Sequence, residues 1–402
     1  MKRSTLLTSI GTLLLSQLSY GAAFQFYELG TPVVGTADVG QAALANDAST
    51  AYFNPAGMAA LPSSEFMLGA QMLLPYIHFS ANSSTTMSGN NGGNAGLFTP
   101  GIDGYYVYSH SSNLKFGISL TTPYAGVLNY NNHWVGRYNV QQMTMYTLNL
   151  NPAMAYQLND WIALGGGFSV EYANFSQSVA IPISATEDGQ ATLKLSNVAS
   201  GFNVGILLTP YRTTKMGIAY RSQIKHDLTG DIDFMNITTA PAANTKMIMP
   251  ANVIASISQL VTNKLTVLGE LGWSNWSSMV DTVVNVLGYT AVTPLNWHDT
   301  YRVGLGGQYK ALPSLLLQAG ISYDSSPTTR SRRLPDLPMD RQIRVGAGLA
   351  YEVMHAVTLG ASYEYLNFGS APIQTTSSYG TLAGSYARNF TNVFQLSMNV
   401  VC

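Results

Sequence analysis

Ser314-Leu315-Leu316-Leu317-Gln318-Ala319-Gly320-Ile321-Ser322-Tyr323-Asp324 contains two interleaved sequences. Leu315, Leu317, Ala319, Ile321 and Tyr323 occupy one parity, and Ser314, Gln318, Gly320, Ser322 and Asp324 the other. Successive side chains of an extended chain point to opposite faces, so this stretch is a strand with one apolar and one polar face. The division recurs in Ile343, Val345, Ala347, Leu349, Tyr351 against Gln342, Arg344, Gly346, Gly348. It recurs again in Phe394, Leu396, Met398, Val400 against Gln395, Ser397, Asn399. Each run keeps its parity for about ten residues, the length a tilted strand needs to cross the hydrocarbon layer.

Composition agrees with that environment. The 402 residues are 46% hydrophobic but only 10% Asp, Glu, Lys and Arg, whereas a soluble domain carries about 25% charged residues. Membrane helices need repeated apolar runs of about 20 residues, which alternating strands do not supply. A net charge of −1 gives no basic stripe for nucleic acid. The single cysteine, Cys402, is the last residue, so neither an internal disulfide nor a Cys/His metal cluster is expected. No cofactor is expected.

Strands of this kind are expected near 65–80, 101–109, 113–121, 143–157, 161–181, 190–208, 215–229, 247–260, 264–288, 298–309, 314–324, 341–352, 356–368 and 390–401. Their connections alternate in length. Short ones fall near 110–112, 158–160, 210–214, 261–263, 310–313 and 353–355; mostly longer ones fall at 81–100, 122–142, 182–189, 230–246, 289–297, 325–340 and 369–389. Short turns at one rim and long loops at the other are the topology of an outer-membrane barrel, so the fold expected is all-β: a transmembrane antiparallel β-barrel of about 14 strands over 64–402. Aromatics near the strand ends, from Tyr105, Tyr106 and Tyr108 through Trp161, Trp276 and Tyr301 to Tyr365, suit interfacial girdles.

The N-terminus differs. Lys2 and Arg3 precede an apolar stretch over 6–18 followed by small residues, which reads as a secretory signal peptide over 1–21, cleaved after Gly21. Residues 22–63 are rich in Ala, Gly, Thr and Asp and lack alternation. Too few large apolar side chains are present for an independent core, leaving a flexible periplasmic tail or a plug inside the lumen.

Ala22-Ala23-Phe24-Gln25 and Asn46-Asp47-Ala48-Ser49-Thr50-Ala51-Tyr52-Phe53-Asn54-Pro55-Ala56-Gly57-Met58 resemble the N-terminal hatch of FadL-type outer-membrane transporters of long-chain fatty acids and other hydrophobic compounds. Asn54, Pro55 and Ala56 match the family's Asn-Pro-Ala motif. Further resemblance lies in His133-Trp134-Val135-Gly136-Arg137-Tyr138, in Asn151-Pro152-Ala153-Met154-Ala155-Tyr156, in Tyr220-Arg221-Ser222-Gln223-Ile224-Lys225-His226 and in Trp297-His298-Asp299-Thr300-Tyr301-Arg302-Val303-Gly304. The resemblance implies a barrel plugged by residues 22–63. It also implies passive uptake of fatty acids or similar molecules, with release through a gap in the wall. Where family chains usually end in an aromatic residue, this one ends Val400-Val401-Cys402.

Within that frame, parity places Glu171, Arg221, Lys225, Glu270, Arg302, Arg344 and Glu364 in the lumen, because a charge on the lipid face costs about 2–4 kcal/mol at the midplane. One reading is a neutralising network that fastens the hatch. The other makes Arg221, Lys225, Arg302 or Arg344 the anchor for a fatty-acid carboxylate, motivated by one more base than acids among the seven. Leu97, Phe98, Tyr124, Leu128 and Trp134, with Val127 and Tyr130, are candidates for an apolar groove on the outer loops or for loop packing. Gly104 and Gly117 are candidates for a local break in strand pairing. The expected partners are a hydrophobic small molecule and outer-membrane lipid, for a monomer. Neutral aromatic hydrocarbons are an alternative cargo. An outer-membrane lipid hydrolase is less favoured, since no Gly-x-Ser-x-Gly elbow accompanies the six histidines.

Overall fold

The computed structural model describes residues 25–184, 187–234, 241–286 and 289–402; the expected signal peptide and Ala22, Ala23 and Phe24 lie outside the described residues. The strands close into a fourteen-strand antiparallel barrel. In chain order they are β1 Glu65–Ala81, β2 Thr99–Ser109, β3 Leu114–Thr121 continued by Ala125–Asn129, β4 Gln142–Asn159 and β5 Ile162–Pro182. Next come β6 Asp188–Tyr211, β7 Thr214–Arg221 continued by Ile224–Phe234, β8 Ala242–Met249 continued by Asn252–Leu260, and β9 Leu265–Ser274 continued by Asp281–Val286. The last are β10 Tyr289–Pro294 continued by Thr300–Leu312, β11 Leu315–Asp324, β12 Gln342–Met354, β13 Val357–Asn367 continued by Ile373–Ser377, and β14 Gly380–Val401. β1 pairs with β14 from Glu65 opposite Val401 to Ala81 opposite Gly384, which seals the cylinder. Closure removes the sheet edges, whose unpaired backbone groups lipid cannot satisfy.

Alternation decides the two faces. Leu317, Ile321, Tyr323, Val345, Leu349, Leu396 and Met398 are exposed, as membrane-facing positions must be, while Gln318, Ser322, Gln342, Arg344, Gln395 and Ser397 point inward and are buried. Tyr106, Tyr108, Trp161, Tyr211, Tyr301, Tyr309 and Tyr351 are exposed near strand ends. Tyr105 and Trp276, read from sequence as girdle residues, are buried inside instead, Tyr105 with its hydroxyl donating to the Leu29 carbonyl at 2.6 Å.

The strand interruptions have local causes. Pro123 splits β3 and Pro250 splits β8; neither has an N–H to donate to a ladder. At Ser222 and Gln223 the split in β7 shifts its parity. Gly217 and Ala219 face inward below the split; Ile224, His226, Leu228 and Ile232 face inward above it. Lys225 is therefore exposed on the outer surface, not in the lumen as the unbroken parity predicts.

Two layers fill the interior. Toward the short turns, residues 25–63 lie inside the barrel, almost wholly buried against the inward faces of the strands. Toward the long loops the inward faces become apolar: Phe79, Met143, Met145, Phe175, Leu195, Leu228, Met247, Trp276 and Leu382 form one cluster with loop residues Tyr130, Trp134, Leu334 and Leu337.

Candidate functional site

The wall is discontinuous beside this apolar layer. β2 and β3 pair only from Ser109 opposite Lys115 to Gly104 opposite Leu120. Residues 99–103 of β2 bond to β1 instead. On the other lip, Thr122 N–H turns to the Asp103 side chain, donating to Oδ1 at 2.9 Å. The Pro123 carbonyl accepts from Phe26 N–H at 2.8 Å, and the Tyr124 carbonyl accepts from Thr147 N–H at 2.8 Å. Only at Ala125 does β3 regain its register with β4. Of the two glycines read as candidates for a break, Gly104 closes the ladder and faces open space, whereas Gly117 lies within the ladder under Met58 and Ala51.

Behind the discontinuity is a narrow cavity of about 70 Å³. Its lining takes Thr99 from one lip and 125–128 from the other, with Phe26, Leu73, Met143, Leu337 and Phe368 behind them. The groove candidates separate here. Leu128 lines the cavity. Tyr124 and Trp134 are buried, Trp134 stacked on Tyr130 at 3.9 Å with its indole N–H donating to the Val140 carbonyl at 2.6 Å. Leu97 and Phe98 are exposed outside, 39% and 56% accessible, so the five do not form one continuous groove.

The cations divide as sharply. Arg302 donates from Nε to Glu270 at 3.1 Å, from Nη1 to Asp324 at 2.9 Å and from Nη2 to the Ala37 carbonyl at 2.8 Å. Arg344 donates from Nε to Glu28 at 2.8 Å, from Nη1 to Asp324 at 2.6 Å and from Nη2 to Gln342 at 2.6 Å. Tyr27 lies under both guanidinium groups, at 4.2 and 5.0 Å. Glu270 also accepts from the Gly40 and Gln41 N–H groups. Both arginines thus tie residues 25–63 to the wall, and each of their guanidinium nitrogens already has a protein partner. Arg221 donates to the Tyr52 carbonyl at 2.8 Å and to Ser169 at 3.0 Å and lies over the Tyr52 ring, with no carboxylate in ion-pair contact among the described residues.

The balance of charge reverses the expectation of excess base. Glu28 and Asp38 join Glu270, Asp324 and Glu364 around only Arg302 and Arg344. Glu28, Asp38 and Glu364 have carboxylate oxygens within 4.8 Å of one another. Burial, then the adjacent Glu28 carboxylate, holds the Asp38 carboxyl well above its usual range. Glu28 and Asp38 leave no signal in the sequence, because residues 25–63 carry no periodicity from which to infer their facing.

Asn54 is the joint of the inner segment. Its Nδ2 donates to the Ala42 carbonyl at 2.6 Å and to the Ile206 carbonyl of β6 at 3.1 Å, while Oδ1 accepts from Ala56 N–H at 3.2 Å. Pro55 opens a short 3-10 helix, Pro55–Ala60, that Asn54 caps, and the Asn54 side chain, Pro55 and Ala56 press on Gly205 and Gly165 where any Cβ would collide. This contact is on β5 and β6, away from the β2–β3 discontinuity.

Residues 12–400 match the outer membrane protein transport protein family OMPP1/FadL/TodX. The chain belongs to this family. Its members are outer-membrane transporters for fatty acids or hydrocarbons, not enzymes. It is 26% identical to a putative outer membrane protein of Neisseria meningitidis serogroup B, over 88% of each chain. It is 25% identical to a long-chain fatty acid transport protein of Escherichia coli, over 90% of this chain and 92% of that one. Among solved structures, a Pseudomonas aeruginosa FadL homologue superposes with a TM-score of 0.87 at 21% identity, covering 95% of this chain and all of the other. The Ralstonia pickettii toluene transporter TbuX superposes at 0.71 and 16% identity, over 94% of this chain and 100% of its own. These likenesses are to the fold.

Proposed function

We propose that this FadL-family barrel takes up long-chain fatty acids or similar hydrophobic molecules across the bacterial outer membrane by passive diffusion. It does so after export on a signal peptide cleaved near Gly21. Residues 22–63 act as the hatch. The ligand enters the apolar outer layer and leaves sideways between β2 and β3 into the bilayer.

The observation that carries this reading is the coincidence of the β2–β3 discontinuity with an apolar cavity lined by both lips. A hydrophobic ligand gains nothing from an aqueous pore, but an apolar cavity opening to hydrocarbon keeps its apolar surface out of water throughout. The hatch network closes the axial route, since Arg302 and Arg344 bind it to the wall.

Cysteines at Ile102 and Thr122, one on each lip, in a Cys402→Ser background, test the route. Oxidation should abolish oleate uptake in cells and reductant should restore it; full uptake with the cross-link complete would rule out lateral exit. The cavity wall carries no Arg or Lys among the described residues, which favours a second reading, neutral aromatic hydrocarbons as cargo. Uptake of toluene in preference to oleate would establish it.

A further inference from the structure

His226 projects inward from β7, one inward position beyond Ile224 and above the split that follows Arg221, and is wholly buried. Its Nε2 lies 3.2 Å from Oε1 of Glu171, which is buried as completely. A carboxylate only accepts, so Nε2 carries a hydrogen. Nδ1 makes no hydrogen bond to any described residue. It has company. Asn149 donates from Nδ2 to Glu171 Oε2 at 2.9 Å and leaves Oδ1 without a partner, and Thr147 Oγ1 is also unpartnered. Register sets Thr121 opposite Asn149 and Asn149 opposite Glu171. The result is a row of buried polar side chains across the inward faces of β3, β4 and β5, with His226 facing it from β7. Buried polar atoms are nearly always hydrogen-bonded. Several orphans in one row point to a polar guest.

What lies above the row defines that guest. The inward face of β4 runs from Asn149 through Thr147 and Met145 to Met143, which lines the apolar cavity. β5 continues from Glu171 to Ala173 and Phe175, and β7 from His226 to Leu228 and Ile232, all buried in the apolar cluster. Six residues of strand at about 3.4 Å each span about 20 Å, the length of an extended alkyl chain, which enters by displacing side chains of this cluster. A polar floor under an apolar layer fits an amphiphile with one small polar head. Hydrogen bonding selects the head: with Nε2–H given to Glu171, a neutral imidazole offers Nδ1 as an acceptor, which an acidic O–H fills.

We propose that His226 binds the carboxylate of a long-chain acid, Nδ1–H donating to one carboxylate oxygen. Glu171 is a positioning residue that holds the ring through Nε2–H. A cargo arriving as the neutral acid supplies the proton: the O–H bond breaks, the proton moves to Nδ1, and an imidazolium–carboxylate pair remains. The proposal rests on the fatty-acid reading above, but moves the anchor from Arg221, Lys225, Arg302 and Arg344 to a residue the charge count overlooks.

The test compares oleate with oleyl alcohol, its uncharged counterpart, on the purified full-length protein in detergent. Oleate should bind the wild type more tightly than the alcohol. His226→Leu should lower oleate affinity by about 10- to 100-fold, the worth of one charge-assisted hydrogen bond, and leave the alcohol within about twofold. Equal loss for both ligands, or for neither, overturns the assignment. Because His226→Leu removes a buried group, ¹⁵N-histidine NMR of the unsubstituted protein provides the second readout. Oleate should move the His226 Nδ1 resonance to the protonated range, and an unmoved resonance overturns the proposal without any variant. If the wild type binds toluene but neither oleyl ligand, the fatty-acid reading itself fails, and the anchor with it.

Discussion

Asp38 shows how one side chain records the electrostatics of the whole interior. It is fully buried, 4.0 Å from Arg344 Nε, and faces the carboxyl groups of Glu28 and Glu364. Like charges about 4 Å apart cost about 4 kcal/mol even at an effective dielectric of 20, so Asp38, Glu28 and Glu364 do not all ionise together. Burial and Glu28 raise the Asp38 carboxyl well above its ordinary value. A group with a raised folded-state value binds more protons folded than unfolded, so it costs stability as pH rises above the unfolded value of about 3.9. Asp38→Asn removes that cost. The variant should match the wild type near pH 4 and unfold at higher temperature near pH 8, the difference growing with pH. A difference that shrinks with rising pH would mean that Asp38 is ionised against Arg344. The facing of the charged wall residues was legible in sequence for Arg302, Arg344, Glu171, Glu270 and Glu364, because each lies in an unbroken alternation. Lys225 was not legible, because the split at Ser222 and Gln223 contains no proline or glycine to announce a change of parity.

At the scale of elements, glycine marks where the inner segment meets the wall. β5 and β6 present Gly165 and Gly205 to Pro55, Ala56 and the Asn54 side chain, at distances no Cβ tolerates. At Gly104 a Cβ would meet nothing within 4 Å. Two substitutions of the same kind should therefore diverge. Gly104→Val should change the unfolding free energy by no more than about 0.5 kcal/mol, as at an open surface position. Gly205→Val must push Asn54 aside and break its bonds to Ala42 and Ile206, costing about 1–3 kcal/mol for each buried group left unsatisfied. Denaturant titration in detergent measures both; equal effects would show that the hatch does not bear on β6. Strand positions were readable because lipid on one side and polar lumen on the other impose a strict period of two on 315–324 or 342–354. The inner segment was not, since its fit depends on close approach of small residues, which leaves no period in Gly35-Thr36-Ala37-Asp38.

At the scale of the molecule, two packed layers stand in series. Residues 25–63 fill the half near the short turns, and the apolar cluster with its loops fills the other. They share a boundary. Phe26 lines the outer cavity while Tyr27 lies beneath Arg302 and Arg344, so the inner segment also forms the floor of the apolar layer. Ligand pockets commonly measure about 300–1,000 Å³, against about 70 Å³ here, so an alkyl chain has to displace cluster side chains to enter. Movement of that layer need not open the barrel to ions as long as the polar network beneath holds. Wild-type protein in a planar bilayer should accordingly conduct little, with or without oleate. Deleting 25–63 removes the floor and leaves Arg302, Arg344, Glu270, Asp324 and Glu364 facing a water-filled lumen. That variant should conduct at least about ten times more than the wild type, since a polar-walled barrel of this size is an aqueous channel once unplugged. Conductance unchanged by the deletion would assign the seal to the apolar cluster alone, and the arginine network would then be a device of folding and not of closure.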